Sequence, residues 1–331
     1  MIDRRALLGT LGWGMAAAAG AQTPPPARRP GLPGPVPGLP EPRETIDLWP
    51  NGAPGMPAEP PTETLNERST DPALTDRAVF GITRPRLVVF RPRLPNGSAV
   101  LVTPGGGYRW VVVDKEGYEV GRWLAARGWT VFVLFYRLPG EGWASRADVP
   151  LQDAQRAMRL IRARARDYGV YPERVAAMGF SAGGHLCADL ATRHAARTYA
   201  PVDAADGLSA RPDLAAPIYP VQSLAVPHSH PGSRTLLLGP DPSEALVRAH
   251  SPENNVGRET PPCFLVHAED DETVPVENSL RFRAACKRAG VPVETHLFTH
   301  GGHGFGLRRA AGKPAELWPE LFVNWAASYG L

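Results

Sequence analysis

The chain has 331 residues, 43% of them hydrophobic and 21% charged, with a formal net charge of +3. This is enough chain for one large domain with a sizeable core, and the composition is that of a globular protein rather than a disordered or fibrous one. The basic residues are nearly all arginine and are scattered, with no basic block interleaved with aromatics, so no nucleic-acid partner is expected.

At the amino terminus, Arg4-Arg5 precede an apolar run from Ala6 to Ala19, and Ala19-Gly20-Ala21 offers a small-residue cleavage site before Gln22. The run is too short to span a bilayer, so residues 1–21 read as a signal peptide and no stable membrane anchor is expected. Paired arginines followed by Ala-Leu-Leu resemble a twin-arginine signal, although Asp3 stands where Ser or Thr is usual. A periplasmic or secreted protein is therefore expected. Residues 22–43, rich in Pro with Gly and Arg, cannot bury apolar area and read as a linker, which leaves residues 44–331 for the folded domain.

Along that domain, Ile46–Trp49 reads as a short strand followed by a Pro/Gly loop, and Ala78–Ile82 and Leu87–Phe90 as early strands around an Arg84-Pro85 turn. Ala99–Thr103 is a buried-type strand that runs into Pro104-Gly105-Gly106-Gly107-Tyr108. An amphipathic helix over Gly117–Arg127 closes at Gly128, and Thr130–Tyr136 is the next apolar strand. Pro150–Tyr168 carries Ala154, Ala157, Ile161 and Ala165 on one helical stripe. Strands follow at Val175–Phe180, Ala215–Tyr219, Phe264–Ala268 and Val293–Phe298, with helices from Ala182, over Val276–Ala289 and over Leu317–Ala327. This alternation predicts an α/β fold with a mostly parallel sheet covered by helices on both faces, and ligand sites at the carboxyl ends of the strands. Cys187, Cys263 and Cys286 form no disulfide framework. Cys263 and Cys286, at opposite ends of a strand–helix unit, could still come close and pair in an oxidising compartment.

The chemistry centres on Gly179-Phe-Ser181-Ala-Gly183, between an apolar run and a helical pattern. A Gly-x-Ser-x-Gly in that context is the pattern of a nucleophile elbow, which stands a serine on a strained turn above the sheet. Serine needs a neighbouring base. His303, framed by glycines in Gly301-Gly-His-Gly-Phe-Gly306 after the last strand, is the candidate, with His300 as a local rival. The orienting acid should lie in Glu269-Asp270-Asp271-Glu272, where spacing alone leaves the choice open; an acidic turn capping the next helix is the plainer reading. The order Ser, acid, His is that of α/β-hydrolases. Backbone N–H groups of Gly106, Gly107 and Ala182 are the candidate oxyanion donors. No Gly-Lys-Ser/Thr follows the glycines, so a phosphate loop is not expected. His228 and His230 lack a third ligand, so no metal is expected, and no cofactor is implied.

The segments Leu48–Gly55, Pro104–Tyr108, Glu116-Gly-Tyr118, Leu134–Pro139, Gly179–Leu186, Ala210–Asp213, Asp271-x-x-Val-Pro275 and Gly301–Gly306 together resemble the bacterial α/β-hydrolases grouped with acetyl xylan esterases and related hemicellulose esterases. The family commonly has His before its three glycines; here the residue is Pro104, which removes one polar group from the pocket floor. The resemblance implies Asp271 as the acid, with Asp270 as runner-up, and a serine esterase whose partner is an acetylated carbohydrate or a small ester. Tyr108, Arg109, Trp110, Arg137 and Trp143 then stand near the expected site, where they would contact sugar or serve as ordinary packing. A general carboxylesterase is the nearest alternative; a prolyl-oligopeptidase-type peptidase or a retired hydrolase acting as a binding module fits less well. The oligomeric state is left open.

If the leader is read by the twin-arginine route, an Arg4→Lys, Arg5→Lys double variant should stay in the cytoplasm of a bacterial host that exports the parent. Equal export of the two, measured by cell fractionation, would weaken that route, and export of the parent by a host lacking twin-arginine machinery would exclude it.

Overall fold

The computed structural model describes residues 41–331, so the expected signal peptide and most of the linker lie outside the described residues. Strand β1 (Pro42–Asp47) opens the fold slightly ahead of the expected boundary, because its backbone pairs antiparallel with β4; β2 (Thr64–Glu67), β3 (Arg77–Phe80) and β4 (Arg86–Phe90) follow. Next come β5 (Ala99–Thr103), the two-residue β6 (Val111–Val112), and a π-helical turn, Asp114–Tyr118, that runs into α1 (Glu119–Ala125). The chain continues through β7 (Thr130–Phe135), α2 (Val149–Ala163), β8 (Val175–Phe180), α3 (Ala182–Arg193) and β9 (Leu214–Ile218). It ends with α4 (Pro231–Leu238), α5 (Glu244–Ala249), β10 (Cys263–Ala268), α6 (Glu277–Ala289), β11 (Val293–Phe298) and α7 (Trp318–Ser328).

Eight strands form one sheet in the order β1-β4-β7-β5-β8-β9-β10-β11, antiparallel at the first two pairings and parallel in the rest. Every residue of β5, β7, β8, β9 and β10 is buried. Strands covered on both faces have no polar side to show, which is why they read as unbroken apolar runs. A separate antiparallel sheet, β2-β3-β6, was not expected from the sequence: β2 is exposed along its whole length and β6 is too short to leave a pattern.

The strand order locates the site. From β5 the chain crosses to β7 on one side, then returns to β8 on the other. The reversal opens a crevice above the carboxyl ends of β5 and β8, where ligands of open α/β sheets bind. The loops after β5, β8, β10 and β11 all emerge at this edge. Among the described residues no helix is long and apolar enough to cross a membrane. All three cysteines are buried and free; Cys263 and Cys286 are neighbours without a bond between them.

Arg137 and Trp143 belong to this framework and not to the cleft, a correction to the sequence expectation. Arg137 is fully buried and clasps Asp153 through Nε and Nη2, at 3.0 and 2.7 Å, while its backbone N–H donates to Asp153 Oδ2 at 2.8 Å. Its Nη1 donates to the Pro54 carbonyl, the Trp49 indole N–H donates to Asp153 Oδ1, and the buried Trp143 ring lies 4.8 Å from the guanidinium. A buried arginine needs such a full set of acceptors, and here they tie the Trp49–Pro54 loop to α2. Asp153→Ala would strand the guanidinium and should cost about 3–5 kcal/mol of unfolding free energy. A urea titration showing less than about 1 kcal/mol of loss, the range of a surface pair, would contradict this account.

Candidate active site

Two glycines make the elbow. A β-carbon on Gly183 would overlap the carbonyl oxygens of Thr103 and Pro104, and one on Gly179 would overlap the Gly183 carbonyl and the Thr103 hydroxyl. Their absence lets α3 press against the ends of β5 and β8. Ser181, between them, has φ 54° and ψ −118°, a conformation that an L-residue holds only when its surroundings impose it. The imposing contacts are visible. Ser181 N–H donates to the Ile218 carbonyl at 3.1 Å, and its own carbonyl accepts from His185 and Val221 N–H.

The turn sets Ser181 Oγ 2.8 Å from His303 Nε2, and His303 Nδ1 lies 2.7 Å from Asp271 Oδ2. The other Asp271 oxygen, Oδ1, accepts from Thr273 and Val274 N–H at 3.0 and 2.9 Å. A further group, absent from the sequence reading, is His267. It is fully buried in β10, with Nδ1 2.8 Å from Ser279 Oγ, and Nε2 shared between the Val274 carbonyl at 3.0 Å and Asp271 Oδ2 at 3.2 Å. Burial alone would oppose ionisation of Asp271, but the hydrogen bonds from His267 and His303 outweigh it and hold the carboxyl well below the usual carboxylate range. The relay can therefore take the Ser181 proton onto an imidazole whose second nitrogen faces a permanent negative charge.

The rivals have other tasks. Asp270 Oδ1 accepts from Gly301 and Gly302 N–H at 2.8 and 2.7 Å, fixing the loop that carries His303. The His300 side chain is 72% exposed and lies 3.6 Å from Asp270 Oδ2.

On the opposite side of Ser181, Gly106 and Gly107 have φ of 127° and 65° and line the cleft. A methyl on Gly106 would strike the Trp110 carbonyl, so the loop cannot fold this way with a larger residue. Among the described residues, the N–H groups of Gly106, Gly107 and Ala182 have no acceptor. Gly105 N–H is already committed, donating to Glu116 Oε2 at 2.9 Å. The other Glu116 oxygen accepts from Tyr219 O–H at 3.1 Å, and the Tyr219 oxygen accepts from Gly306 N–H at 3.1 Å. Tyr219 also meets the His303 ring edge-on at 5.3 Å. A single buried carboxylate, delivered by the π-helical turn, thus joins the glycine loop to the histidine loop. Single-turn π segments inside helices are often found at such sites.

Arg109 and Trp110 line the cleft, but Tyr108 does not, a second correction. Its φ of 60° turns the ring inward, where it is buried and its O–H donates to His185 Nδ1 at 2.7 Å. His185 Nε2–H in turn donates to the His250 carbonyl at 2.7 Å. The cleft itself holds about 1080 Å³. His230 forms part of its wall; Nδ1 accepts from Ser233 N–H at 3.1 Å, which leaves the proton on Nε2. Among the described residues no cluster of three or more His, Cys, Asp or Glu side chains is placed to hold a metal.

The His185 contacts carry a pH signature. Burial pushes its pKa down to about 4, so between about pH 6.5 and 4 the unfolded chain takes up a proton that the folded chain refuses. The stabilisation is fully present above about 6.5, drains away as pH falls towards 4, and amounts to roughly 3 kcal/mol. Replacing His185 by Gln should flatten the stability–pH curve in this window. Parallel curves for parent and variant in urea titrations would refute the assignment.

A protein-family model described as BD-FAE matches residues 92–286. An acetylxylan esterase of Xylanibacter ruminicola is 33% identical over 226 residues, 67% of this chain and 44% of that protein. An endo-1,4-beta-xylanase B of Butyrivibrio fibrisolvens is 36% identical over 229 residues, 69% of this chain and 34% of that protein. The chain thus spans less than half the length of these two relatives. Among solved structures, an acetyl ester-xyloside bifunctional hydrolase from Caldicellulosiruptor lactoaceticus superposes with a TM-score of 0.70 at 36% identity, covering 87% of this chain and 96% of that one. The sheet, the elbow and the extent of the family match lead to one assignment: the chain is an α/β-hydrolase and belongs to the BD-FAE family.

Proposed function

We propose that this protein is a serine esterase that removes acetyl groups from xylan-type saccharides through an acyl-enzyme. The observation that carries the reading is the unbroken Ser181–His303–Asp271 relay, at 2.8 and 2.7 Å, opening into a cleft beside unpaired backbone N–H groups. The names of the relatives from Xylanibacter ruminicola and Caldicellulosiruptor lactoaceticus support the acetyl and xylose parts of it. Export by the amino-terminal leader belongs to the same proposal and rests on the sequence alone.

In this reading Ser181 Oγ attacks the ester carbonyl carbon while its proton passes to His303 Nε2. The oxyanion is received by the N–H groups of Gly106, Gly107 and Ala182, whose geometry costs no reorganisation. Asp271 holds the tautomer with Nδ1–H towards itself and stabilises the imidazolium. The tetrahedral intermediate collapses, the sugar oxygen leaves with the proton from Nε2, and acetyl stays on Ser181. Water then repeats the sequence, giving acetic acid and free serine.

Ser181→Ala should lower kcat by about 10⁴-fold or more with the fold intact. Acetate should be released from acetylated xylan, and kcat/KM on p-nitrophenyl esters should fall from acetyl to butyryl and beyond, by about 1–3 kcal/mol for each methylene the acyl pocket cannot hold. Retention of a tenth of the parent rate in Ser181→Ala would end the nucleophile assignment. A preference for octanoyl esters with no acetate from xylan would replace the acetyl esterase by a general carboxylesterase.

A further inference from the structure

Lys115 is a nearly buried cation with no hydrogen-bond acceptor for its ammonium among the described residues. It stands inside the π-helical turn, its side chain is 9% exposed, and the surface it keeps forms part of the cleft wall. An ammonium group carries three donors and is rarely buried without a partner. Its one charged neighbour among the described residues is Glu116, whose Oε1 lies 3.9 Å from Nζ, beyond hydrogen-bonding reach. Both oxygens of that carboxylate are already engaged, one by Gly105 N–H and one by Tyr219 O–H.

The loop that carries His303 is shaped around this amine. A β-carbon on Gly304 would sit 3.2 Å from Lys115 Nζ, and one on Gly306 would sit 3.0 Å from Lys115 Cγ. The two glycines, at φ 66° and 52°, leave the space that the lysine side chain and its unfilled donors occupy. Arg309, a few residues further on, also lines the cleft, is exposed, and has no side-chain hydrogen bond or ion pair among the described residues. Of the acids on the cleft wall, Glu116 and Asp270 are committed to the contacts given above, and Glu272 is exposed.

Position decides which half of the substrate meets these cations. On the esterase reading, on which this inference rests, His303 returns its proton to the leaving alcohol. A cation against the neighbouring Gly304 then faces the alcohol half of the ester. A neutral sugar hydroxyl would fill one donor and leave the Arg309 charge unpaired, whereas a carboxylate accepts from both cations in charge-assisted geometry and balances the positive charge that Glu116, 3.9 Å from Lys115, leaves over. We propose that Lys115, with Arg309 at the rim, forms a carboxylate subsite for the alcohol half of the substrate, so that the protein acts on acetylated saccharides bearing a uronic acid near the ester.

The test compares acetate release from an acetylated xylo-oligosaccharide carrying a glucuronic acid branch with release from the same compound after its carboxyl is reduced to an alcohol. The parent should prefer the acid by about tenfold or more in kcat/KM, the ratio expected for one charge-assisted hydrogen bond, and added salt should shrink the ratio. Lys115→Met should bring the ratio close to one, Lys115→Arg should restore part of it, and Arg309→Gln should lower it. Equal rates of the parent on the two compounds would overturn the subsite, as would a preference that survives Lys115→Met. Should Lys115→Met not fold, the parent ratio and the exposed Arg309→Gln variant decide the question. Hydrolysis of p-nitrophenyl acetate by the parent is run alongside; its absence would overturn the esterase reading itself, whereas its presence with equal rates on the two saccharides overturns the subsite alone.

Discussion

The distance at which α3 approaches the ends of β5 and β8 governs everything at the cleft. Gly179 and Gly183 permit that approach, since a side chain on either would overlap backbone of the neighbouring element. From it follow the backbone conformation of Ser181 and the placement of the first N–H of α3 alongside the glycine loop. β9 completes the arrangement by accepting the Ser181 N–H at Ile218. The strain at one residue is thus held by two strands and a helix, and its cost is spread over a packed core that does not relax locally.

Around that point the polar groups divide into those that are spent and those that are not. Asp271 is surrounded by Thr273, Val274, His267 and His303, and Glu116 by Gly105 and Tyr219. Each carboxylate spans elements that are distant in sequence, so each holds two cleft loops in register. Low-dielectric surroundings make such networks stiff when every member is satisfied. The unspent groups, the N–H groups of Gly106, Gly107 and Ala182 and the ammonium of Lys115, all belong to the cleft or border it. The two cleft carboxylates have spent their oxygens within the fold, which leaves these donors for a ligand.

How much of this can be read from sequence depends on whether the signal is local. The inner strands are legible because burial on both faces forces apolar runs, and the elbow because its glycines sit two residues either side of the serine. The loops that carry the acid and His303 follow from where the chain leaves a parallel sheet, while the choice of Asp271 within its loop rests on the resemblance carried by Asp271-x-x-Val-Pro275 and not on spacing. Tyr108, Arg137 and Trp143 show the limit: each lies beside a cleft loop in sequence, yet a positive φ turns Tyr108 inward and Asp153 draws Arg137 into the core under Trp143. Glu116 and Tyr219 are separated by 103 residues and meet only in the folded chain. His267 did leave a trace, as the one imidazole in the apolar run of β10. α4 and α5 left little, since α4 opens on Pro231-Gly232 and α5 buries none of its residues.

The three cysteines give the native state a chemical silence. Cys187, Cys263 and Cys286 are fully buried, and burial pushes the Cys187 thiol up to about 12. Only the thiolate reacts, and only where a reagent can reach it. A folded molecule therefore offers a thiol reagent nothing, and cysteine chemistry begins when the chain opens. In oxidising surroundings the rate at which these thiols are labelled becomes a clock for that opening.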